Sequence, residues 1–257
     1  MLKLRTLVSA AAICAGLGTV SAQAADPSGP FGGNFAGSVG FTTDYKYRGI
    51  SQTGNDPAVQ GSIEYSIPVT DFATLYGSVW GSSINFGGNL ETDFTAGVRG
   101  TVLDKVGYDL NVIYYYYPGT NSGNNLDFVE PGIKLSYDFG FAVPYVGFRY
   151  SPDFQGNRAG NTGHAEYYTG GVTVPVPVDM LTPYSVALMG EYNHQDIKNN
   201  ARWGTPDYNT WTLGVSATVY TLGVSLQYIG TDLSKAECFG GLSTCEDRAV
   251  FTVSKTF

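Results

Sequence analysis

The chain has 257 residues, of which 14 are lysine or arginine and 22 are aspartate or glutamate, so its formal net charge is −8 at pH 7. This acidic balance argues against a nucleic-acid partner. Glycine (34 residues) and tyrosine (19 residues) are abundant, while the mean hydropathy is −0.06. An average near zero is expected for a barrel that has one face in lipid and the other in water.

The N-terminal residues have the pattern of an export signal. Lys3 and Arg5 precede an apolar run over residues 7–20, and Ala22-Gln23-Ala24 supplies the small residues that a signal peptidase requires. The run is short for a transmembrane helix and rich in alanine and glycine. We therefore predict three parts: a cleaved signal peptide at 1–24, a periplasmic lead at 25–33 and an outer-membrane β-barrel at 34–257.

After this signal, apolar and polar residues alternate with the period of a β-strand. In residues 57–67 the apolar set Val59, Ile63, Tyr65 and Ile67 alternates with Gln60, Ser62, Glu64 and Ser66. Such a strand has one face for lipid and one for water, which predicts an all-β, transmembrane, antiparallel up-and-down barrel. Twelve segments of this kind are predicted: 38–48, 57–67, 72–83, 90–99, 105–116, 129–137, 141–151, 164–175, 185–192, 210–219, 222–228 and the C-terminal segment that ends at Phe257. The pattern leaves open which face of the third and eighth strands turns inward.

The connections between these segments alternate between long and short. The long connections are rich in glycine, asparagine, aspartate and proline; the first is 48–57 and the last is 230–247. Short connections, such as 68–71 and 102–104, alternate with them. Outer-membrane barrels have short periplasmic turns and longer outer loops. An even number of strands therefore places both termini on the periplasmic side.

Tyrosines cluster toward the ends of the predicted strands, where their amphipathic rings suit the two membrane interfaces. The alternative is that tyrosine is simply a good strand former. The residues predicted for these aromatic girdles include Tyr45, Tyr47, Tyr114, Tyr115, Tyr116, Tyr117, Tyr150, Tyr167, Tyr184, Tyr192, Tyr220 and Tyr228.

The inward faces carry the charged residues on which a function in the lumen would depend. By the alternation they are Asp44, Glu64, Glu91, Asp93, Asp109, Glu130 and Glu191, with Lys46, Arg48, Arg99, Lys105, Lys134 and Arg149. Eight strands are filled by side chains and sixteen leave a water-filled channel, so twelve lie between these limits. Mutual ion pairs and tyrosines would close the lumen, whereas incomplete filling would leave a narrow passage. We favour the passage, and with it a porin-like channel for passive diffusion of small hydrophilic solutes or ions.

Two other functions stay open. A structural or interaction barrel would have a plugged lumen and outer loops that bind a ligand. An outer-membrane hydrolase would need convergent catalytic groups, but the chain has only His164 and His194 and no G-x-S-x-G elbow. We therefore predict that the protein is not an enzyme and holds no metal or cofactor.

The two cysteines that follow the signal peptide, Cys238 and Cys245, lie in the last long connection with six residues between them. An exported pair in an oxidising compartment favours a disulfide over a redox or metal site, because further metal ligands are lacking.

The opening of the barrel resembles a known family. The stretch Val39-Gly40-Phe41-Thr42-Thr43-Asp44-Tyr45-Lys46-Tyr47-Arg48-Gly49-Ile50-Ser51-Gln52, followed by Pro57-Ala58-Val59-Gln60-Gly61, is similar to the first strand of the TorF-type porins of proteobacteria. That family typically has Ser-Asp-Tyr-x-x-Arg-Gly here, and Thr43 replaces the serine. The segment Tyr76-Gly77-Ser78-Val79-Trp80-Gly81-Ser82-Ser83 and the chain length are also similar.

The resemblance implies passive transport across the outer membrane of a Gram-negative bacterium. We expect outer-membrane lipid and small solutes or ions as partners, together with periplasmic chaperones and the barrel-assembly machinery during biogenesis, with Phe257 as the membrane-insertion signal. Asp44 and Arg48 would share the lumen face of the first strand, either as an ion pair or constriction contact or as a barrel-closure contact with strand twelve.

Overall fold

The computed structural model describes residues 29–120, 125–156 and 162–257. The predicted signal peptide at 1–24 and the beginning of the predicted lead lie outside the described residues. Within them, twelve strands form the barrel wall: β1 (Asn34–Thr42), β4 (Ala58–Thr70), β5 (Ala73–Ser83), β6 (Leu90–Val102), β7 (Val106–Tyr116), β8 (Phe128–Tyr137), β9 (Val143–Ser151), β10 (Ala165–Pro175), β11 (Ala187–Ile197), β12 (Tyr208–Val219), β13 (Leu222–Thr231) and β14 (Arg248–Thr256). Two short strands, β2 (Lys46–Tyr47) and β3 (Ile50–Ser51), form a separate hairpin.

The wall is a closed antiparallel meander. Each strand pairs with the next along the chain, and β1 completes the barrel by pairing with both β4 and β14. The register at the closure joins Val39 to Gly61 on one side and to Lys255 on the other. The prediction of a twelve-stranded antiparallel barrel is therefore confirmed.

The outer face of the wall is apolar. Side chains such as Val59 and Leu213 are about three-fifths exposed, at 59% and 62%, while their polar neighbours Gln60 and Thr212 are buried inside. This is the surface that a transmembrane barrel presents to lipid. The third predicted strand, which is β5 in the structure, turns Tyr76 inward and Leu75 outward; the sequence left this orientation open.

The two ends of the barrel differ. The turn end carries the start of β1, the end of β14 and connections that are short except for residues 176–186, and the loop end carries most of the longer connections. Exposed rings surround the turn end at Phe31, Phe35, Phe72, Phe139, Phe141, Tyr184, Tyr220 and Phe257, and further exposed rings lie toward the loop end at Tyr114, Tyr116, Tyr168 and Tyr228. The described helices are Pro30–Gly32, Asp179–Tyr184 and Asn200–Trp203 (α1). None of the helices in the described residues has the length and apolar character needed to cross a bilayer.

Two predicted strands begin later than expected, because their first residues lie in connections at the turn end. Leu103 and Asp104 adopt left-handed backbone conformations in the tight turn between β6 and β7, and Lys105 is exposed there, so its predicted place in the lumen is wrong. Tight hairpins require such conformations because their twist then matches that of the strands. Ser185 is also left-handed, ends the helix Asp179–Tyr184 and precedes β11, so the ninth strand begins later than predicted.

Candidate functional site

The lumen contains a segment that the sequence assigned partly to the first wall strand, up to Arg48, and partly to the long connection 48–57. β1 ends at Thr42, and residues 43–57, here called the lumen hairpin, fold into the barrel before β4 begins. β2 and β3 pair within it, and Arg48 and Gly49 form its tip with φ values of 49° and 80°. The predicted continuation of the first strand to Arg48 is therefore wrong, and Tyr45 and Tyr47 lie inside the barrel instead of facing lipid.

Hydrogen bonds to Asp44 organise the base of the lumen hairpin. The carboxylate Oδ1 of Asp44 accepts bonds from the hydroxyls of Ser51 at 2.6 Å and Thr53 at 2.8 Å. The backbone N–H of Gln52 also donates to the carbonyl of Tyr45 at 2.7 Å. Asp44 thus bonds to hydroxyls on its own hairpin, and the described residues contain no ion pair between Asp44 and Arg48.

The side chain of Arg48 reaches the opposite wall of the barrel. The side chains that contact it there are here called the Arg48 seat. One guanidinium nitrogen donates to Oε2 of Glu130 on β8 and another donates to Oε1 of Gln195 on β11, each at 2.6 Å. The guanidinium carbon lies 4.3 Å from the ring centre of Tyr167 and 5.5 Å from that of Phe154. Burial lowers the pKa of Arg48, but the carboxylate of Glu130 and the hydroxyls of Tyr47, Tyr115 and Tyr167 together raise it more, so the guanidinium remains charged.

Other side chains of the lumen hairpin reach further parts of the wall. The Tyr45 hydroxyl donates to Glu91 on β6 at 3.1 Å, and the Tyr47 ring lies edge-on to Tyr115 of β7 with 5.8 Å between centroids. An added Cβ at Gly49 would lie 2.4 Å from the Thr231 methyl group of β13. Contacts from β6 to β13 therefore place the hairpin across the lumen.

Four long connections cover the lumen hairpin at the loop end. Phe86, Phe154, Trp203 and Phe239 pack together there with ring centroids 5.1–6.3 Å apart. The connection at 232–247 contains the disulfide between Cys238 and Cys245. Its Thr244 carbonyl accepts a bond from the Ser51 backbone N–H at 2.8 Å, so this loop is tied directly to the hairpin.

The lumen toward the turn end is more open and polar. Arg99 and Glu64 form a second ion pair there, with side chains 26% and 25% exposed, compared with 4% and 1% for Arg48 and Glu130. A cavity of about 180 Å³ lies against the lumen hairpin, and its lining includes Lys134, Arg149 and Glu191. The wall side chains at this depth therefore leave space within the barrel.

The structure distributes the predicted pore-lining residues over three locations. Asp44 and Arg48 are on the lumen hairpin, and Lys105 is outside. The others face inward from wall strands: Glu64, Glu91, Asp93, Arg99, Asp109, Glu130, Lys134, Arg149 and Glu191. Sequence reasoning missed Gln195, because the predicted ninth strand stopped too early. Continued alternation through Glu191, Asn193 and Gln195 was the signal that would have placed it inside.

The histidines lie near the loop end outside the lumen site. Nδ1 of His194 is 3.0 Å from Oδ1 of Asn209, and the His164 ring lies 5.9 Å from that of Tyr150. In the part of the chain that the structure describes, neither ring is hydrogen-bonded to a serine hydroxyl. The same described residues contain no group of three or more histidine, cysteine, aspartate or glutamate side chains arranged to hold a metal ion.

A family model described as "Bacterial protein of unknown function (Gcw_chp)" matches residues 24–257. No curated protein matches the chain. Among solved structures, the chain is similar to the NanC porin, with a TM-score of 0.52, 11% identity and coverage of 87% of this chain and 98% of that one. An outer-membrane channel of the COG4313 group from Pseudomonas putida F1 has a TM-score of 0.52 and 11% identity, with coverage of 87% and 95%. At these identities the similarity establishes a porin-like barrel fold.

Proposed function

The chain belongs to the Gcw_chp family of bacterial proteins of unknown function, and we propose that it is a porin-like channel of the Gram-negative outer membrane, in which ions and small hydrophilic solutes diffuse passively. The resemblance at the first strand supports placing it with the TorF-type porins. In this proposal residues 1–24 are the signal peptide, residues 25–33 are the periplasmic lead, and Phe257 helps the assembly machinery to recognise and insert the barrel.

One observation carries this proposal: the lumen hairpin, which belongs to the connection between β1 and β4, crosses the interior of the barrel and has a cavity of about 180 Å³ beside it. Wall side chains such as Arg99 and Glu64 remain about one-quarter exposed toward the turn end. A twelve-stranded wall has a wider interior than the eight-stranded barrels that side chains fill. The hairpin is therefore the constriction of the channel, and its position sets how much can pass.

The charged residues of the lumen bias the diffusing solutes in this proposal. Glu64, Glu91, Asp93, Asp109, Glu130 and Glu191 face Arg99, Lys134 and Arg149 from the wall, and Lys46 and Arg48 are supplied by the hairpin. Acids therefore outnumber bases on the wall itself. An excess of negative charge on the wall attracts cations and disfavours anions.

A second candidate function is an interaction barrel whose outer loops bind a ligand. The packing of Phe86, Phe154, Trp203 and Phe239 over the lumen hairpin favours it, because these rings unite four connections into one apolar cluster. In that case the hairpin would be a permanent plug and the loop surface would carry the function.

Planar-bilayer recordings separate the two candidates. Residues 25–257 would be refolded in detergent, and heat-modifiable gel migration would verify the folded barrel. Discrete current steps that increase with salt concentration are expected for the channel, and their reversal potential in a salt gradient reports ion selectivity. Silence from a protein shown to be folded and inserted contradicts the channel and directs attention to the outer loops.

A further inference from the structure

The Arg48 seat has the chemistry of a binding site for an organic cation. We propose that the seat binds the guanidinium or ammonium group of a small solute that enters the lumen. In the absence of the solute, the side chain of Arg48 fills the seat, and the solute displaces it. This inference rests on the proposed channel function and names the class of solute that the channel favours.

The seat offers a cation both hydrogen-bond acceptors and aromatic faces. Glu130 supplies a carboxylate, Gln195 supplies an amide oxygen, and the Tyr167 ring lies 4.3 Å from the guanidinium carbon. Carboxylates form strong charge-assisted bonds with guanidinium groups, and aromatic faces attract cations within about 6 Å. Among the described residues, Oε1 of Glu130 is buried without a hydrogen-bond partner, so the carboxylate can accept a further bond.

The seat belongs almost entirely to the wall and loops. Glu130, Gln195 and Tyr167 come from β8, β11 and β10, and Phe154 comes from the connection after β9, whereas Tyr47 alone moves with Arg48 on the lumen hairpin. Departure of the hairpin therefore leaves the acceptors and two of the three rings in place. A free cation of similar shape can then make the same contacts.

The tip of the lumen hairpin is a two-residue turn, Arg48-Gly49, that carries Arg48 into the seat. Arg48 has a φ of 49°, a left-handed conformation that is unfavourable for a residue with a side chain, while Gly49 beside it adopts φ 80° without that penalty. Strained backbone persists where surrounding contacts maintain it and is concentrated at ligand clamps and switches. A free cation in the seat would make the same contacts without that backbone cost.

The charges near the seat also favour a cation. Lys46 and Arg48 travel with the lumen hairpin, whereas Glu91, Asp93 and Glu130 remain on the wall, where Asp93 lies within electrostatic reach of the other two and of Arg149. Because Asp44 leaves with Lys46 and Arg48, departure of the hairpin removes a net single positive charge from this level of the lumen. The negative charge left on the wall attracts a cationic solute and disfavours an anionic one.

Binding by the wild-type protein tests the proposal without depending on transport. Calorimetric titration of the folded barrel in detergent would compare L-arginine with L-citrulline, which has nearly the same shape but lacks the positive charge. We expect arginine to bind about tenfold more tightly. Arg48→Ala should strengthen arginine binding further because the competitor is removed, and Glu130→Gln should abolish the preference. Glu64→Gln removes the carboxylate of the other ion pair, and this variant should retain the preference for arginine.

Equal binding of arginine and citrulline, or no binding of either, overturns the inference, because a purely structural ion pair gives the folded wild-type protein no affinity for free arginine. Retention of the preference in Glu130→Gln also overturns it. Potassium chloride conductance in planar bilayers is measured on the same preparations. If the protein conducts but does not prefer arginine over citrulline, the cation-binding proposal is refuted and the channel proposal is not. If the protein binds arginine but does not conduct, the channel proposal is refuted and the cation-binding proposal is not.

Discussion

The guanidinium of Arg48 lies 2.6 Å from the carboxylate of Glu130 inside the barrel, although 82 positions separate the two residues in the chain. This ion pair joins the tip of the lumen hairpin to the wall strand β8. Both side chains are almost fully buried, at 4% and 1% exposure, so each charge depends on the other for stabilisation.

Glu130→Gln is expected to release the lumen hairpin. Loss of the carboxylate leaves the Arg48 guanidinium buried without its counter-ion, which typically costs about 3–5 kcal/mol. Undocking hydrates the guanidinium and avoids that cost, so limited proteolysis within residues 43–57 should become faster while the barrel stays heat-modifiable. Glu64→Gln is the matched control, because partly exposed ion pairs contribute about 0–1 kcal/mol. Equal proteolysis rates in both variants would contradict the role of the buried pair.

Gly49→Ala is expected to prevent the hairpin tip from seating against the wall. The new Cβ would lie 2.4 Å from the Thr231 methyl carbon and 3.2 Å from Cβ of Thr210. We expect larger single-channel currents than in the wild type. Gly54→Ala imposes a similar left-handed strain at φ 69°, but its nearest neighbour would be the Asn85 side chain at 3.4 Å. Currents that increase equally in the two variants would show that backbone strain, and not contact with the wall, is responsible.

Lys46 gives docking of the lumen hairpin a pH dependence. Burial lowers the pKa of its ammonium group from 10.5 to about 8, although Asp44, Asp247 and Glu246 oppose this shift and Arg248 adds to it. Between about pH 8 and 10.5 the undocked lysine retains a proton that the docked lysine has released. Docking therefore becomes stronger as the pH rises through this window, and channel current should fall.

Current recordings of the wild type and of Lys46→Met from about pH 7 to pH 10 check this sign. The variant should lack the decline because methionine does not titrate. A wild-type current that rises over the same range, or the same decline in both proteins, would assign the pH dependence to other groups.

Alternation of apolar and polar residues was sufficient to predict the wall of the barrel. Glu91 and Asp93 face inward and Leu90 and Phe94 face outward, as a period of two requires. The same period gives a wrong prediction at Tyr45 and Tyr47, because a short hairpin inside the lumen alternates in the same way as a strand in the wall. A period of two indicates extended backbone but does not indicate whether the strand belongs to the barrel wall or lies inside the lumen.

The sequence does not predict which side chains contact each other across the lumen, and the reason is different. Alternation placed Glu130 on the inner face of its strand, but it carries no information about which residue lies opposite. The contact with Arg48 depends on the path of the lumen hairpin through the barrel. The left-handed turn at Arg48-Gly49 sets this path, and Gly49 was its only local signal.

The most direct test of the central claim, that the lumen hairpin constricts a channel, is the single-channel conductance of the chain with this segment replaced. Thr42 and Ala58 are register partners on β1 and β4, so a short Asn-Gly turn can join the two strands without disturbing the wall. We predict that the replaced protein, folded and inserted, gives discrete currents several-fold larger than those of the wild type. Unchanged currents, or silence from both inserted proteins, would contradict the account.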